Sequence, residues 1–221
     1  LSSLRRTGYR VGLLKSHKLP VPVVVVGNIS VGGTGKTPLV IWLAEALKRK
    51  GFSPAIISRG YGGSFSIVME VLANSDPAIV GDEPVLLVRR GQCPVWVGRD
   101  RVKAAQALLQ AHPECNVMIS DDGLQHYKLQ RDFEVAVIDG SRGLGNGWLL
   151  PAGPLREPRP RLKTVDAVVY NGGKPVLNAF SMQLEGRVFH NLLDPTKTAQ
   201  TTVFAGKSIY AIVGMGNPAR F

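Results

Sequence analysis

The stretch Val21-Pro22-Val23-Val24-Val25-Val26-Gly27-Asn28-Ile29-Ser30-Val31-Gly32-Gly33-Thr34-Gly35-Lys36-Thr37-Pro38 decides the fold. Val21–Val26 is a short run of mostly β-branched valines ended by Gly27, which reads as a strand buried on both faces and so as a central parallel strand. After Pro38, a residue tolerated in a first helical turn, Leu39, Trp42, Leu43, Ala46 and Leu47 fall on one helical stripe. Lys48, Arg49 and Lys50 occupy the last turn of that helix, and Gly51 stops it. Strand, glycine turn and helix open a βαβ unit.

The turn itself carries chemistry. Glycines let backbone N–H groups approach the oxygens of a phosphate chain, and the positive end of the following helix favours negative charge. Within Ser30-Val31-Gly32-Gly33-Thr34-Gly35-Lys36-Thr37, Lys36 is placed for the β- and γ-phosphates and Thr37 offers a hydroxyl to magnesium. Ser30 stands where the usual pattern has glycine, so Gly32 and Gly33 are left to supply the flexibility. A P-loop is answered by acidic residues ending a neighbouring strand, and Val117–Ser120 followed by Asp121-Asp122 provides them. The same pair could also cap the segment that follows.

Working outward, Ala55–Ser58, Pro94–Val97, Val117–Ser120, Val135–Ile138, Ala167–Tyr170 and Ile209–Val213 read as further strands. Asp100–Ala111 reads as a helix with Val102, Ala105, Leu108 and Leu109 inward. The fold class is therefore α/β: a P-loop-type, mostly parallel sheet flanked by helices. Gly140–Lys163 is rich in Gly, Pro and Arg without periodicity and reads as a long functional loop. Rough alternation over Phe180–Leu193 predicts a small additional strand pair toward the C-terminus, followed by a polar stretch, 194–202. The expected division is a basic segment over 1–20, a nucleotide-binding and catalytic core over 21–175, and the start of a smaller lobe over 176–221.

With 221 residues, 44% of them hydrophobic, the chain can bury one substantial core. Twenty-seven Lys and Arg against 16 Asp and Glu give a net charge of +11, which favours an anionic partner such as nucleic acid, an acidic membrane face or a phosphorylated substrate. Cys93 and Cys115 have no metal-type spacing and are too few for a disulfide framework, which fits a reducing compartment. No apolar run nears the roughly 20 residues that span a bilayer. Over residues 1–19, Leu4, Val11, Leu13 and Leu14 mix with Arg5, Arg6, Arg10, Lys15 and Lys18. That reads equally as the tail of a basic interfacial helix or as a solvated arm. The chain starts at Leu1 and stops after Gly-Asn-Pro-Ala-Arg-Phe221, so both ends read as cuts in a longer parent. A guanine-reading Asn-Lys-x-Asp stretch is missing; Asn171-Gly172-Gly173-Lys174 has the wrong order.

The run Val25–Pro38 resembles the signature of the tetraacyldisaccharide 4'-kinase (lipid A 4'-kinase) family. The likeness continues in Ser58-Arg59-Gly60-Tyr61-Gly62-Gly63, Val80-Gly81-Asp82-Glu83-Pro84, Asp121-Asp122-Gly123-Leu124-Gln125-His126, Leu150-Pro151-Ala152-Gly153-Pro154-Leu155-Arg156-Glu157 and Gly214-Met215-Gly216-Asn217-Pro218-Ala219-Arg220-Phe221. The resemblance implies a peripheral enzyme at the cytoplasmic face of the bacterial inner membrane, with an anionic lipid surface rather than nucleic acid as its neighbour. It would use ATP and Mg2+ to phosphorylate the 4'-hydroxyl of an acylated glucosamine disaccharide 1-phosphate, giving lipid IVA. It implies Asp82 as the base that accepts the hydroxyl proton; from spacing alone Asp82 reads as a helix N-cap. Ser30, Val31, Gly32, Gly33, Thr34, Gly35, Lys36 and Thr37 would hold ATP, and Thr37, Asp121 and Asp122 the metal. Tyr61, Arg101, Gln125, His126, Arg156 and Glu157 fall in blocks that the family places near nucleotide or substrate. Taken singly, each is also an ordinary packed or salt-bridged surface residue. The family's partner histidine lies in an Asp-His-His stretch after the Gly-x-Gly-Asn-Pro block and has no counterpart in this chain, which predicts nucleotide binding with weak turnover. The competing reading is a P-loop ATPase driving protein assembly or partitioning, against which Val31 counts, since such proteins often carry a lysine there. A third is a non-catalytic nucleotide-binding module docked on acidic membranes.

Overall fold

The computed structural model describes residues 2–60, 62–64, 67–176, 178–186, 188–194 and 196–212. Tyr61, Val213 and the block 214–221 lie outside the described residues. The elements run α1 (Ser2–Arg10), β1 (Val23–Gly27), α2 (Lys36–Arg49), β2 (Pro54–Ser58), β3 (Met69–Val71), α3 (Pro77–Val80) and α4 (Asp82–Gly91). They continue with β4 (Val95–Val97), α5 (Arg101–Ala111), β5 (Val117–Asp121), β6 (Phe133–Asp139), a 3-10 turn (Arg159–Thr164), β7 (Ala167–Asn171), β8 (Phe180–Met182), β9 (Val188–His190) and β10 (Thr198–Gln200).

Eight strands form one sheet in the order β3-β4-β2-β5-β1-β6-β7-β8. All neighbours are parallel except the edge pair β3–β4. The valine run is central because both its faces are apolar. Val26 packs with Leu39, Val40, Ala44, Ile56, Val85 and Leu87 under α2 and α4. Val23 and Val25 pack on the opposite face with Ala104, Ala105, Leu108 and Leu124. Each such fully buried valine contributes about 1.5–3 kcal/mol, which fixes both register and layer order. Register then does chemical work: Val26 lies beside Asp121, so the acidic end of β5 is carried to the start of the P-loop.

Three details depart from expectation. Of the strand expected over Ile209–Val213, the described residues 209–212 are irregular and exposed. The small pair exists, but β9 pairs with β10, drawn from the polar stretch, whereas Phe180–Met182 instead extends the main sheet beside β7. The region 140–163 is a loop, yet a packed one, with Leu155 fully buried and bridged to Ser30. The basic segment forms α1, which rests on the molecule through Arg6 Nη2 donating to Thr164 Oγ1 at 2.9 Å. Among the described residues, no helix is long and apolar enough to cross a membrane.

Candidate phosphoryl-transfer site

The site is the crevice at the carboxyl end of β1, flanked by β5 and β6. Gly35 is the N-cap of α2 with φ 90°, a left-handed backbone that favours glycine. A Cβ there would lie 2.0 Å from Asn171 Nδ2, which itself donates to the Thr34 carbonyl at 3.1 Å. The loop is braced from inside by Asn28, whose Nδ2 donates to the Gly32 carbonyl at 3.2 Å and to Thr34 Oγ1 at 3.4 Å. From outside, Val31 N–H donates to the Pro154 carbonyl at 2.8 Å and Arg156 N–H to the Ile29 carbonyl at 2.7 Å. The long loop thus serves as a buttress for the P-loop.

Lys36 Nζ lies 3.4 Å from Asp122 Oδ1, and Thr37 Oγ1 donates to Glu83 Oε1 at 3.4 Å. Asp121 is buried; its Oδ2 accepts from Ser58 Oγ at 3.2 Å, while its Oδ1 has no hydrogen-bond partner among the described residues. Burial, reinforced by the Glu83 carboxylate, pushes the Asp121 carboxyl up to about 6. Asp122 behaves oppositely. Burial opposes its ionisation, but Lys36, Arg156 and Arg101 outweigh it and hold the group below the usual carboxylate range. An orphaned acidic oxygen at the P-loop end of β5 suits a hard cation that keeps several waters and phosphate oxygens as ligands. No group of three or more His, Cys, Asp or Glu among the described residues could hold a metal by itself.

Arg101 is buried, not a surface residue, and its Nη1 donates to the Asp122 carbonyl at 2.9 Å. It thereby secures Asp122, which sits in the left-handed region with φ 47°. Arg156 Nη1 lies 3.3 Å from Asp122 Oδ2. Gln125 Nε2 donates both to the Asn28 carbonyl at 2.9 Å and to Glu157 Oε1 at 2.7 Å. Glu157 also accepts from Tyr127 Oη and pairs with Arg161 at 3.3 Å, and Arg161 reaches Glu134. His126 is neutral near pH 7: burial, then Arg101, pulls it down to about 4. Asp82 opens α4 one residue after its N-cap, Gly81, and its Oδ1 accepts only from Glu83 N–H, at 2.9 Å. Its exposed side chain has no contact with Lys36 among the described interactions.

Of the residues singled out in the sequence, the structure brings Lys36, Thr37, Asp121, Asp122, Arg101, Gln125, Arg156 and Glu157 into one region, while Tyr61 lies outside the described residues. Sequence reasoning missed Glu83, Asn28, Asn171 and Tyr127. Glu83 could have been found from its place in the first turn of the helix that Gly81-Asp82-Glu83-Pro84 begins. Asn28 braces the loop locally, whereas Asn171 and Tyr127 touch the site only through long-range pairing.

Truncating Arg161 tests the buttress. Its side chain is 1% exposed between Glu134 and Glu157. Arg161→Ala leaves Glu134 with Arg131 but Glu157 with only the neutral hydrogen bonds of Gln125 and Tyr127, a buried charge without a cation. A loss of about 3–5 kcal/mol in urea unfolding is expected. A loss below 1 kcal/mol would mean that the carboxylates relax into water.

A glycine-capped phosphate loop between β1 and α2, faced by the acid-tipped β5 of a parallel sheet, defines a P-loop α/β protein. Comparison narrows the class. A model of LpxK, tetraacyldisaccharide-1-P 4'-kinase, matches residues 1–221, and the chain belongs to that family. It is 54% identical over 221 residues to a tetraacyldisaccharide 4'-kinase of Methylobacillus flagellatus, covering all of this chain and 66% of the relative. It is 53% identical over 227 residues to one from Azoarcus sp., again covering 100% and 66%. The chain thus spans slightly under two thirds of the length of these curated relatives. The crystal structure of LpxK from Aquifex aeolicus in complex with ATP superposes with a TM-score of 0.72 at 34% identity, covering 82% of this chain and 59% of that one.

Proposed function

We propose that the chain forms the nucleotide-binding and phosphoryl-transfer part of an ATP-dependent kinase. Its acceptor is the 4'-hydroxyl of an acylated glucosamine disaccharide 1-phosphate, and its product is lipid IVA. One observation carries the reading: the P-loop Lys36 contacts Asp122 at the acidic end of β5 and Thr37 contacts Glu83, with the buried Asp121 Oδ1 unpartnered. The family membership and the ATP complex of the Aquifex aeolicus protein support it.

In this reading the backbone from Ser30 to Gly35 cradles the phosphates, and Lys36 leaves Asp122 for the β- and γ-oxygens. Thr37 and Asp121, with Asp122 close by, would hold Mg2+, which when bound would supply charge neutralisation to the phosphates. The 4'-oxygen attacks the γ-phosphorus, the bond to the β–γ bridging oxygen breaks, and ADP leaves. The hydroxyl proton passes to the Asp82 carboxylate, which the exposed start of α4 presents toward solvent. Arg156 and Arg101 keep Asp122 ionised and oriented; His126, being neutral, is suited to hydrogen bonding with the sugar or phosphate. Gln125 and Glu157 hold the loop in shape, and Tyr61 is assigned to nucleotide or sugar stacking. Residues 1–20 would lie on the anionic inner-membrane surface at its cytoplasmic face, 21–175 form the catalytic core, and 176–221 begin a second lobe.

Asp82→Ala is expected to lower turnover about 100-fold or more while leaving ATP affinity nearly unchanged, since it removes proton acceptance only. Equal losses in both would put Asp82 in the nucleotide shell. The kinase reading itself is tested by the lipid dependence of ATP consumption. ADP should form only when the acylated disaccharide 1-phosphate is present in detergent micelles. ADP formed at the same rate without it would favour the assembly-driving ATPase.

A further inference from the structure

We infer that Arg142 is a catalytic arginine supplied in cis, which grips the γ-phosphoryl group as it transfers. The inference rests on the kinase reading above and adds a residue that its machinery does not yet contain.

The observations are local and concordant. Gly32 has φ +93°, and a Cβ added to it would lie 2.8 Å from Arg142 Nη1 and 3.3 Å from Nη2. Arg142 Nη2 donates to the Val31 carbonyl at 2.9 Å. The guanidinium therefore lies against the middle of the P-loop, where the left-handed backbone of Gly32 favours glycine and leaves its near face open to the arginine. Its base is firm: Asp139, at the end of β6, accepts through Oδ1 from Ser141 N–H at 2.9 Å, Ser141 Oγ at 2.6 Å and Arg142 N–H at 3.2 Å. β6 is itself paired with β1, so the arginine and the P-loop hang from adjacent strands.

Three other cations near the loop are committed. Lys36 and Arg156 both pair with Asp122, and Arg101 is buried with its Nη1 on the Asp122 carbonyl. Arg142 is exposed, and among the described residues no carboxylate is in ion-pair contact with it; most of its five donors remain free for a ligand. A planar fork of donors matches the oxygens of a phosphoryl group, and charge on those oxygens is what a phosphoryl transferase must stabilise. A bland role also exists. Arg142 could serve only as a strut that holds the Val31 carbonyl.

The two roles separate in binding. Affinities of the 221-residue chain for ADP, and for ADP with aluminium fluoride as a mimic of the transferring group, are measured by calorimetry with magnesium present. Arg142→Ala should leave ADP affinity within a few-fold and weaken the aluminium fluoride complex by about 100- to 1000-fold. Arg142→Lys, a charge without the fork, should recover only part of that loss. Because the side chain is exposed, neither substitution threatens folding. Equal loss of both complexes would make Arg142 a strut, and unchanged affinity for both would remove it from the site; either result overturns the inference and leaves the kinase reading standing. A wild-type chain that binds neither complex, with Lys36→Ala no different, would overturn both.

Discussion

Lys36→Ala is expected to reduce phosphoryl transfer by about 1000-fold or more, the scale seen when a charge on a transferring phosphoryl is lost. The geometry gives the reason. Lys36 is the first residue of α2, so its ammonium adds to the positive helix end that the glycine loop already aims at the phosphates. Its carboxylate partner Asp122 also depends on it, because Lys36 is the largest favourable influence on that group's ionisation. Without Lys36, Asp122 retains Arg156 and Arg101, so the fold should survive and the loss should appear in nucleotide handling. Calorimetry with ATP and a circular dichroism melt on the same sample separate the two. An unfolded variant, or one with normal ATP affinity and turnover, would contradict the assignment.

Asp121→Asn should combine two effects of opposite sign, which makes it the more discriminating substitution. Transfer should fall about 1000-fold, because a neutral amide replaces an acidic metal ligand. Stability of the ligand-free protein should rise. The Asp121 carboxyl is raised from 3.8 to about 6 in the fold, so the folded state binds the extra proton between those values. Stability contributed by the protonated group is complete below about 4 and is lost as pH rises through 6. Removing the buried charge at pH 8 should return about 2–3 kcal/mol, since each pKa unit corresponds to about 1.4 kcal/mol. At pH 4 the variant and the wild type should unfold at similar denaturant concentrations.

His126 acts in the other direction. Its folded value near 4, against 6.5 unfolded, makes stability fall as pH drops through that window. The wild-type profile between pH 4 and 6.5 should thus be shallow, and the variant-minus-wild-type difference isolates Asp121. A variant less stable than the wild type at pH 8 would mean that Asp121 is not an uncompensated charge in the free protein.

Much of this was legible in the sequence, and the reason is chemical redundancy. β1, β2, β5 and β7 are short apolar runs, largely β-branched, ended by Gly, Ser, Asp or Asn. α2 and α5 carry a single apolar stripe. The P-loop was bounded on both sides by such elements, so Lys36, Thr37 and Asp121 could be grouped before any coordinates. α4 was foreseen only as the helix that an Asp82 N-cap would begin, because Val85-Leu86-Leu87-Val88 is four consecutive apolar residues, a pattern that strand and buried helix share. β3 and β8 are three residues each, too short to show a period.

The buttress was illegible for a different reason. Glu157 and Arg161 stand in an aperiodic loop and Glu134 at the start of β6, and nothing local says that they are buried together. Arg142 likewise looks like one more arginine in a Gly-rich loop until Gly32 is seen beneath it. Long-range pairing of charges has no sequence period to betray it.

The central claim, that this crevice transfers the γ-phosphate of ATP to a lipid sugar, is tested most directly with γ-labelled ATP. The protein, in detergent micelles with an acylated glucosamine disaccharide 1-phosphate and Mg2+, is assayed for label in the lipid. The account predicts a labelled bisphosphorylated lipid that disappears with Lys36→Ala. Label released only as free phosphate from well-folded protein, with none in the lipid, would contradict it.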